Sequence, residues 1–329
     1  MQVGNVYRVV IDDDVVIGTA LAARAPLIVT GDRALLSVGE YADIKLLTTD
    51  QIAQLSSAQI GAIETRDMLV LSSGQIGAFD ASNFSDGILV YQKLSLISGS
   101  QVQGLSTAQI NSFTTEHLQY FDTQDISKLS TLQLNSFQTD VIAALSTLQV
   151  QALTTAQLAG LSTDQFSNFS TDSLQALTTL QVRALSSDQL NSLSSDQFST
   201  LETRDIAALS SAQFAALNTS AVVALTTAQV KALTSAALNA MSSDQIASLE
   251  TEDLAALTTG QVSKLNTLQV SLLSTGQIVA LTTAQVQALK TVQIAALSSD
   301  QINTMESDDL QSLSSAQIRA LTSDQLGAV

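Results

Sequence analysis

Residues 281–297 read LTTAQVQALKTVQIAAL, with Leu281, Leu289 and Leu297 eight apart and Val286 and Ile294 each five residues after a leucine. The same spacing runs from Leu105 to Val329 without a slip, which makes 28 octads. A self-similar period of this kind marks a stacked repeat architecture, in which each unit buries its apolar side chains only against neighbouring units.

The period also dictates what one octad can be. A continuous α-helix turns about 100° per residue, so eight residues return about 80° from the starting face and the apolar stripe would circle the helix within a few repeats. A strand fails as well, because steps of five and three are odd and put successive apolar side chains on opposite faces. Each octad therefore contains its own break. With the first apolar residue as position 0, position 2 is Ser or Thr in every octad, whereas position 1 varies among Ser, Thr, Asn, Gln, Lys, Asp and Glu. That constancy predicts position 2, for example Thr227, as the N-cap, its hydroxyl accepting a hydrogen bond from an orphan N–H of the first turn. Asp at position 3, as in Asp164, Asp188 and Asp300, then meets the positive end of the helix dipole. Thr282 with Gln285 is equally readable as a capping box displaced by one residue. The fold expected is mainly α: a solenoid of short capped helical turns, with small residues at position 7 letting backbones approach.

Composition sets outer bounds on function. The chain has 329 residues, 4% aromatic, with no Trp and no Cys. The core must be aliphatic, and disulfides, thiolate zinc sites and a Cys nucleophile are excluded. The net charge of −17 argues against nucleic-acid or anionic-membrane binding by the repeats. No apolar run reaches the length of a membrane span, and the N-terminus lacks the pattern of a signal peptide. The expected location is cytoplasmic, or exported without a cleaved signal peptide.

Upstream of Leu105 the register is interrupted once. Leu47, Leu55, Ile63, Leu71 and Phe79 hold the octad, after which it shifts by two residues to Leu89, Ile97 and Leu105. The segment from Asp80 to Ser100, with Gly87, Gly99 and the β-prone stretch Ile88 to Tyr91, reads as a bulged or looped-out repeat, with a grafted binding loop as the alternative. The organisation expected is an α/β fragment over 1–46, a first octad block over 47–79, an irregularity over 80–104 and the octad solenoid over 105–329.

Residues 1–46 do not follow the octad and hold Pro26, the chain's one proline. Asp12, Asp13 and Asp14 open a helix over Val15 to Arg24, Leu27 to Thr30 suits a buried strand closed by a turn at Gly31 and Asp32, and Ile44 to Leu47 suits another strand. The stretch DDDVVIGTALAARAPLIVTGDRALLSVGEYADIKLLT, residues 12–48, resembles the C-terminal half of a PIN-domain nuclease of the toxin type. That resemblance implies RNA cleavage with Mg²⁺ or Mn²⁺ held by carboxylates, with Asp14 and Asp32, helped by Asp13, as catalytic and metal-ligating residues. The N-terminal half of such a domain, with its remaining carboxylates, is missing, so the resemblance implies activity only where another chain completes the site. RNA is a partner, and Mg²⁺ or Mn²⁺ a cofactor, only on that condition; otherwise no cofactor is expected.

Elsewhere, chemistry is sparse. His117, the one histidine, stands at position 4, where 19 of the 28 octads have Gln, and is expected to be solvated or capping. The recurrent Gln reads as a polar ladder. Wherever position 1 is acidic, position 4 is Asp: Asp122 with Asp125, Glu202 with Asp205, Glu250 with Asp253, Glu306 with Asp309, and upstream Glu64 with Asp67. Paired carboxylates repel, so a cation or a basic neighbour is expected between them, and Arg66 and Arg204 lie inside two of the pairs. Leu326 and Val329 stop in mid-register without a polar capping repeat, which predicts self-association or a longer parent protein. The function expected is a structural or protein-binding repeat scaffold, of the kind found in bacterial surface or adhesin-like proteins, with PIN-type ribonuclease as the alternative.

Overall fold

The structure is a computed structural model, and it describes residues 27–29, 40–41, 44–47, 49–55, 60, 68–69, 71–82 and 96–327. Two compact units divide the chain, Met1–Ala176 and Leu177–Val329. The first opens with three short strands: β1 (Leu27–Val29), β2 (Glu40–Tyr41) and β3 (Ile44–Leu47), in the order β1-β3-β2. β1 pairs parallel with β3, Leu27 opposite Lys45, and β2 pairs antiparallel with β3. Two of these strands fall where the sequence places them, at the β-branched run Leu27 to Thr30 and at Ile44 to Leu47.

From Ser98 onward both units are built from the octad. In the octad of Leu281 the helix spans Thr283–Ala288; Thr282 (φ −74°, ψ 153°) and Leu289 (φ −61°, ψ 136°) flank it in extended conformation. Up to six helical residues and a two-residue extended corner make the period of eight. A helix this short is unstable alone, and its stability comes from burial. Position 5 is enclosed through most of the array, as in Val286, Ile294 and Phe214 at 0% exposure, and position 0 nearly so, whereas Ile318 and Leu326 in the last two octads are 47% and 54% exposed. Each such apolar side chain contributes roughly 1.5–3 kcal/mol when taken from water.

The capping residue is position 1, not position 2. Thr226 caps the helix Thr227–Ala232 and Thr282 caps Thr283–Ala288; each side chain accepts from the backbone N–H of the position-4 Gln. Thr227 and its equivalents are the first helical residue. The constancy of position 2 has a different source in the places where its side chain meets another winding: the Thr179 hydroxyl donates to Asp205 at 2.6 Å, and the Thr131 methyl lies where a Cβ on Gly160 would stand.

Within each unit, the helices coil so that each lies against the helix three octads on, as Thr227–Ala232 does against Thr251–Ala256. Away from the slip of register, the glutamine hydrogen bonds between windings join residues 31 apart and 28 apart, the latter three and a half octads. Close approach between windings explains the small residues in the corners. A Cβ on Gly104, at position 7, would overlap the Ser73 carbonyl, and one on Gly77 would overlap the Gly104 carbonyl.

The two-residue slip of register leaves a measurable trace. Gln101 and Gln109 reach back 33 and 30 residues, to Met68 and Leu71 and to Ile76 and Phe79. Their counterparts beyond the slip reach back 31 and 28. The winding that contains the slip is two residues longer and closes through the same bonds. Residues 83–95 themselves lie outside the described residues.

Candidate functional site: the amide ladder and the acidic octads

The side chain that joins the windings is the position-4 Gln. Its position is the third residue of the helix, where it completes a capping box: the Thr282 N–H donates to Gln285 Oε1 at 2.8 Å while Gln285 N–H donates to Thr282 Oγ1 at 3.3 Å. Gln285 Nε2 then donates to the carbonyls of Leu254 at 2.9 Å and Leu257 at 2.7 Å, on the preceding winding. Nε2 faces two carbonyls and Oε1 faces the Thr282 N–H, so the network fixes which end of the amide is which. Gln285 is 2% exposed. A buried amide is tolerated only when its donors and acceptors are paired, and one Gln here satisfies an orphan N–H at a helix start and two carbonyls at a helix end.

Asn at position 6 adds a second staple in places. Asn135 Nδ2 donates to the Gly160 carbonyl at 2.7 Å while its Oδ1 accepts from Ser162 N–H at 3.1 Å. Asn191 repeats this with Ala216 and Asn218.

The ladder changes where the octads change. Gln75 is 1% exposed, and its Nε2 has no hydrogen-bond partner among the described residues; Leu47 and Ile44, which stand 28 and 31 residues before it, belong to strand β3 rather than to a helix corner. His117 takes the glutamine's local role. Its Nδ1 accepts from Thr114 N–H at 2.8 Å, the ring meets Phe113 edge-on with centroids 5.6 Å apart, and only 4% of the residue is exposed. Burial lowers the imidazole pKa, opposed by the neighbouring Glu116. It is a buried capping histidine, rather than a solvated one, in an aromatic cluster with Phe121 and Phe137.

In the acidic octads the amide is lost altogether. Asp125, Asp205, Asp253 and Asp309 stand in the glutamine slot at 6%, 0%, 3% and 3% exposure. The glutamates before the last three, Glu202, Glu250 and Glu306, sit at the N-cap without a side-chain capping bond. Asp122 does cap, accepting from Asp125 N–H at 2.8 Å. In one pair the basic neighbour is present: Arg204 Nε lies 3.0 Å from Glu202 and 3.6 Å from Asp205. Burial raises the Asp205 pKa, opposed by the Thr179 hydroxyl and Arg204, and its Oδ2 has no hydrogen-bond partner among the described residues. The Asp125 carboxyl is pushed up to about 6 by burial, with the Asp122 backbone N–H pulling the other way. Asp253 is also pushed up to about 6, by burial and then by Glu250 and Glu252.

Asp13, Asp14 and Asp32, the carboxylates singled out by the PIN resemblance, lie outside the described residues, as do Glu64, Arg66 and Asp67. Among the described residues no group of three or more Asp, Glu or His side chains is placed to hold a metal ion, and no helix is long and apolar enough to cross a membrane. The surface does carry isolated apolar side chains at position 3 that sequence reasoning had passed over: Leu132 and Leu148 in the first unit, Leu180, Leu268 and Val292 in the second, each exposed by more than half. Leu148 edges a shallow cleft of about 450 Å³ shared with Leu118 and Phe121.

The motif that builds this ladder occurs as Ala-Leu-Thr-Thr-Ala-Gln over residues 152–157, 224–229 and 280–285. No curated protein matches the sequence. The ALTTAQ repeat model matches eight overlapping stretches, 134–171, 149–179, 167–203, 198–235, 222–251, 246–283, 279–307 and 302–329, which together span well over half of the chain, and the chain belongs to the ALTTAQ repeat family.

Proposed function

We propose that this repeat scaffold works by presenting protein-binding surface, in the manner of a bacterial surface or adhesin-like protein, and not by catalysis. The observation that carries this reading is where the polar side chains go. The Gln, Ser and Thr residues of the octads are spent on caps and on bonds between windings, which leaves the variable position 3 to face solvent. Leu132, Leu148, Leu180, Leu268 and Val292 stand there among Asp and Ala, and aliphatic groups repeated at one position of an acidic array are what a protein partner can recognise.

Sedimentation over a wide concentration range tests this with the wild type beside a variant carrying Leu132→Asp, Leu148→Asp, Leu180→Asp and Leu268→Asp. Concentration-dependent association in the wild type and none in the variant supports self-association through position 3. A wild type that stays monomeric assigns the face to a different protein, and equal association in both chains removes position 3 from the account.

A second reading is favoured by the parallel pairing of β1 with β3, an arrangement that needs a crossover connection and is native to α/β folds. On that reading residues 1–46 are half of a PIN-type ribonuclease, completed by another chain, with Asp14 and Asp32, helped by Asp13, holding Mg²⁺ or Mn²⁺. A ribonuclease assay with Mn²⁺ on the whole chain beside Asp14→Asn and Asp32→Asn tests it: cleavage lost in both variants supports the half-site, and no cleavage at any protein concentration excludes completion by a second copy of this chain.

A further inference from the structure

We propose that Asp253 and Asp125 are proton latches between windings: in mildly acidic solution each is a neutral carboxylic acid that donates its O–H across the gap in place of the glutamine amide, and loss of that proton as the solution becomes neutral loosens the superhelix locally. The geometry of the ladder carries the inference. In an ordinary octad the position-4 side chain must do two things, accept from the N-cap N–H and donate to carbonyls 31 and 28 residues back, as Gln261 and Gln277 do. For Asp253 those carbonyls belong to Val222 and Leu225, and no glutamine amide reaches them. A carboxylate offers acceptors only, and would set a negative charge beside carbonyl oxygens in a slot that is 3% exposed. A carboxylic acid offers one acceptor and one donor, the same pair of functions as the amide.

The charges around each site favour the neutral form. The helix Thr251–Ala256 carries Glu252 and is preceded by Glu250. It packs against Thr227–Ala232, whose one charged residue is the exposed Lys231, and against Thr275–Val279, which has none. The helix Thr123–Lys128 carries Asp125 and Lys128 after Asp122, and it packs against Gly99–Val102 and Thr147–Ala152, neither of which bears a charge. The 28-back carbonyl of Asp125 is that of Ile97, itself buried. Asp205 is served differently, by Thr179 and Arg204.

The sign of the effect follows by linkage. Both carboxyls are raised from the ordinary 3.8 to about 6 in the fold, so the folded state binds more protons than the unfolded chain between those values. The latch contributes its full stability below about pH 4, loses it as pH rises through about 6, and is open at pH 8.

Amide hydrogen exchange of the full chain at pH 5 and pH 8, corrected for intrinsic rates and read over residues 249–257 and 219–226, tests the proposal. The wild type is expected to lose protection there by roughly tenfold or more at pH 8, while Asp253→Gln, which installs the array's own residue, stays equally protected at both values. Asp253→Asn, a shorter amide without a titrating group, is expected to be equally flat. A wild type with no pH response in these segments, or a Gln variant with the wild-type response, overturns the latch. So does restoration of wild-type protection at pH 8 by millimolar Ca²⁺ with no effect on Asp253→Gln, because the bridging species would then be a metal ion.

Discussion

At the scale of single residues, the chain separates two tasks that its sequence presents as one. A Ser or Thr stands at both position 1 and position 2 of most octads, and only the first of them caps. Thr226→Ala removes the acceptor for Gln229 N–H and should cost about 1 kcal/mol of stability. Thr227→Ala, at the first helical residue, should cost less than half as much. Urea titration of the two variants side by side measures the difference, and equal losses would return the cap to position 2. The more constant position was the misleading one because constancy reports any shared constraint. Thr179 and Thr131 show a constraint that lies on the adjacent winding, more than two dozen residues away, where a local reading does not look.

At the scale of the element, an eight-residue period with apolar residues at 0 and 5 was enough to exclude one long helix and to require a break per octad. It also placed the buried side chains correctly, since Val286, Leu281 and their equivalents form the core. The glutamine was legible as a ladder, but its acceptors were not, because they lie 28 and 31 residues back, three and a half and nearly four octads, and no step within one octad encodes those numbers. The pairing of Arg204 with Glu202 and Asp205 was foreseeable from their adjacency in sequence; the burial of Asp205 was not. The role of the amide can be measured directly. Gln285→Ala loses a bond to Thr282 N–H and two to the preceding winding, and at about 1 kcal/mol for each should destabilise the fold by about 3 kcal/mol. Gln285→Glu should be milder at pH 5 than at pH 8, because a buried neutral acid can still donate and a carboxylate cannot. Equal denaturation midpoints for Gln285→Glu at the two pH values would show that the amide's donor role contributes little.

At the scale of the molecule, stability is a sum over windings. Among the described residues each helix packs mainly against neighbours about three octads away, so the contacts within a unit are local along the coil, and the acidic octads lack the glutamine amide that elsewhere joins one winding to the next. Urea unfolding followed by circular dichroism should therefore be broad, with an m-value well below that of a 329-residue globular protein. One sharp transition of full amplitude would mean long-range coupling that the local bonding does not provide. The strands at Leu27 and Ile44 were readable from the sequence, the first from its β-branched run; the two-residue strand Glu40–Tyr41 was not. The octads say nothing about the carboxylates near them, and the function of residues 1–46 turns on those.

The direction of the glutamine bonds has a consequence for how the protein is made. Apart from Gln75 at the start of the ladder, each Gln Nε2 described above donates to a carbonyl that precedes it in the chain, by 28 and 31 residues or, at the slip, by 30 and 33. A chain leaving the ribosome thus brings each new octad to a surface that has already been synthesised and whose acceptors are already in place. Nothing has to wait for sequence still to come. Growth of the superhelix can keep step with translation, each finished winding serving as the template on which the next is laid.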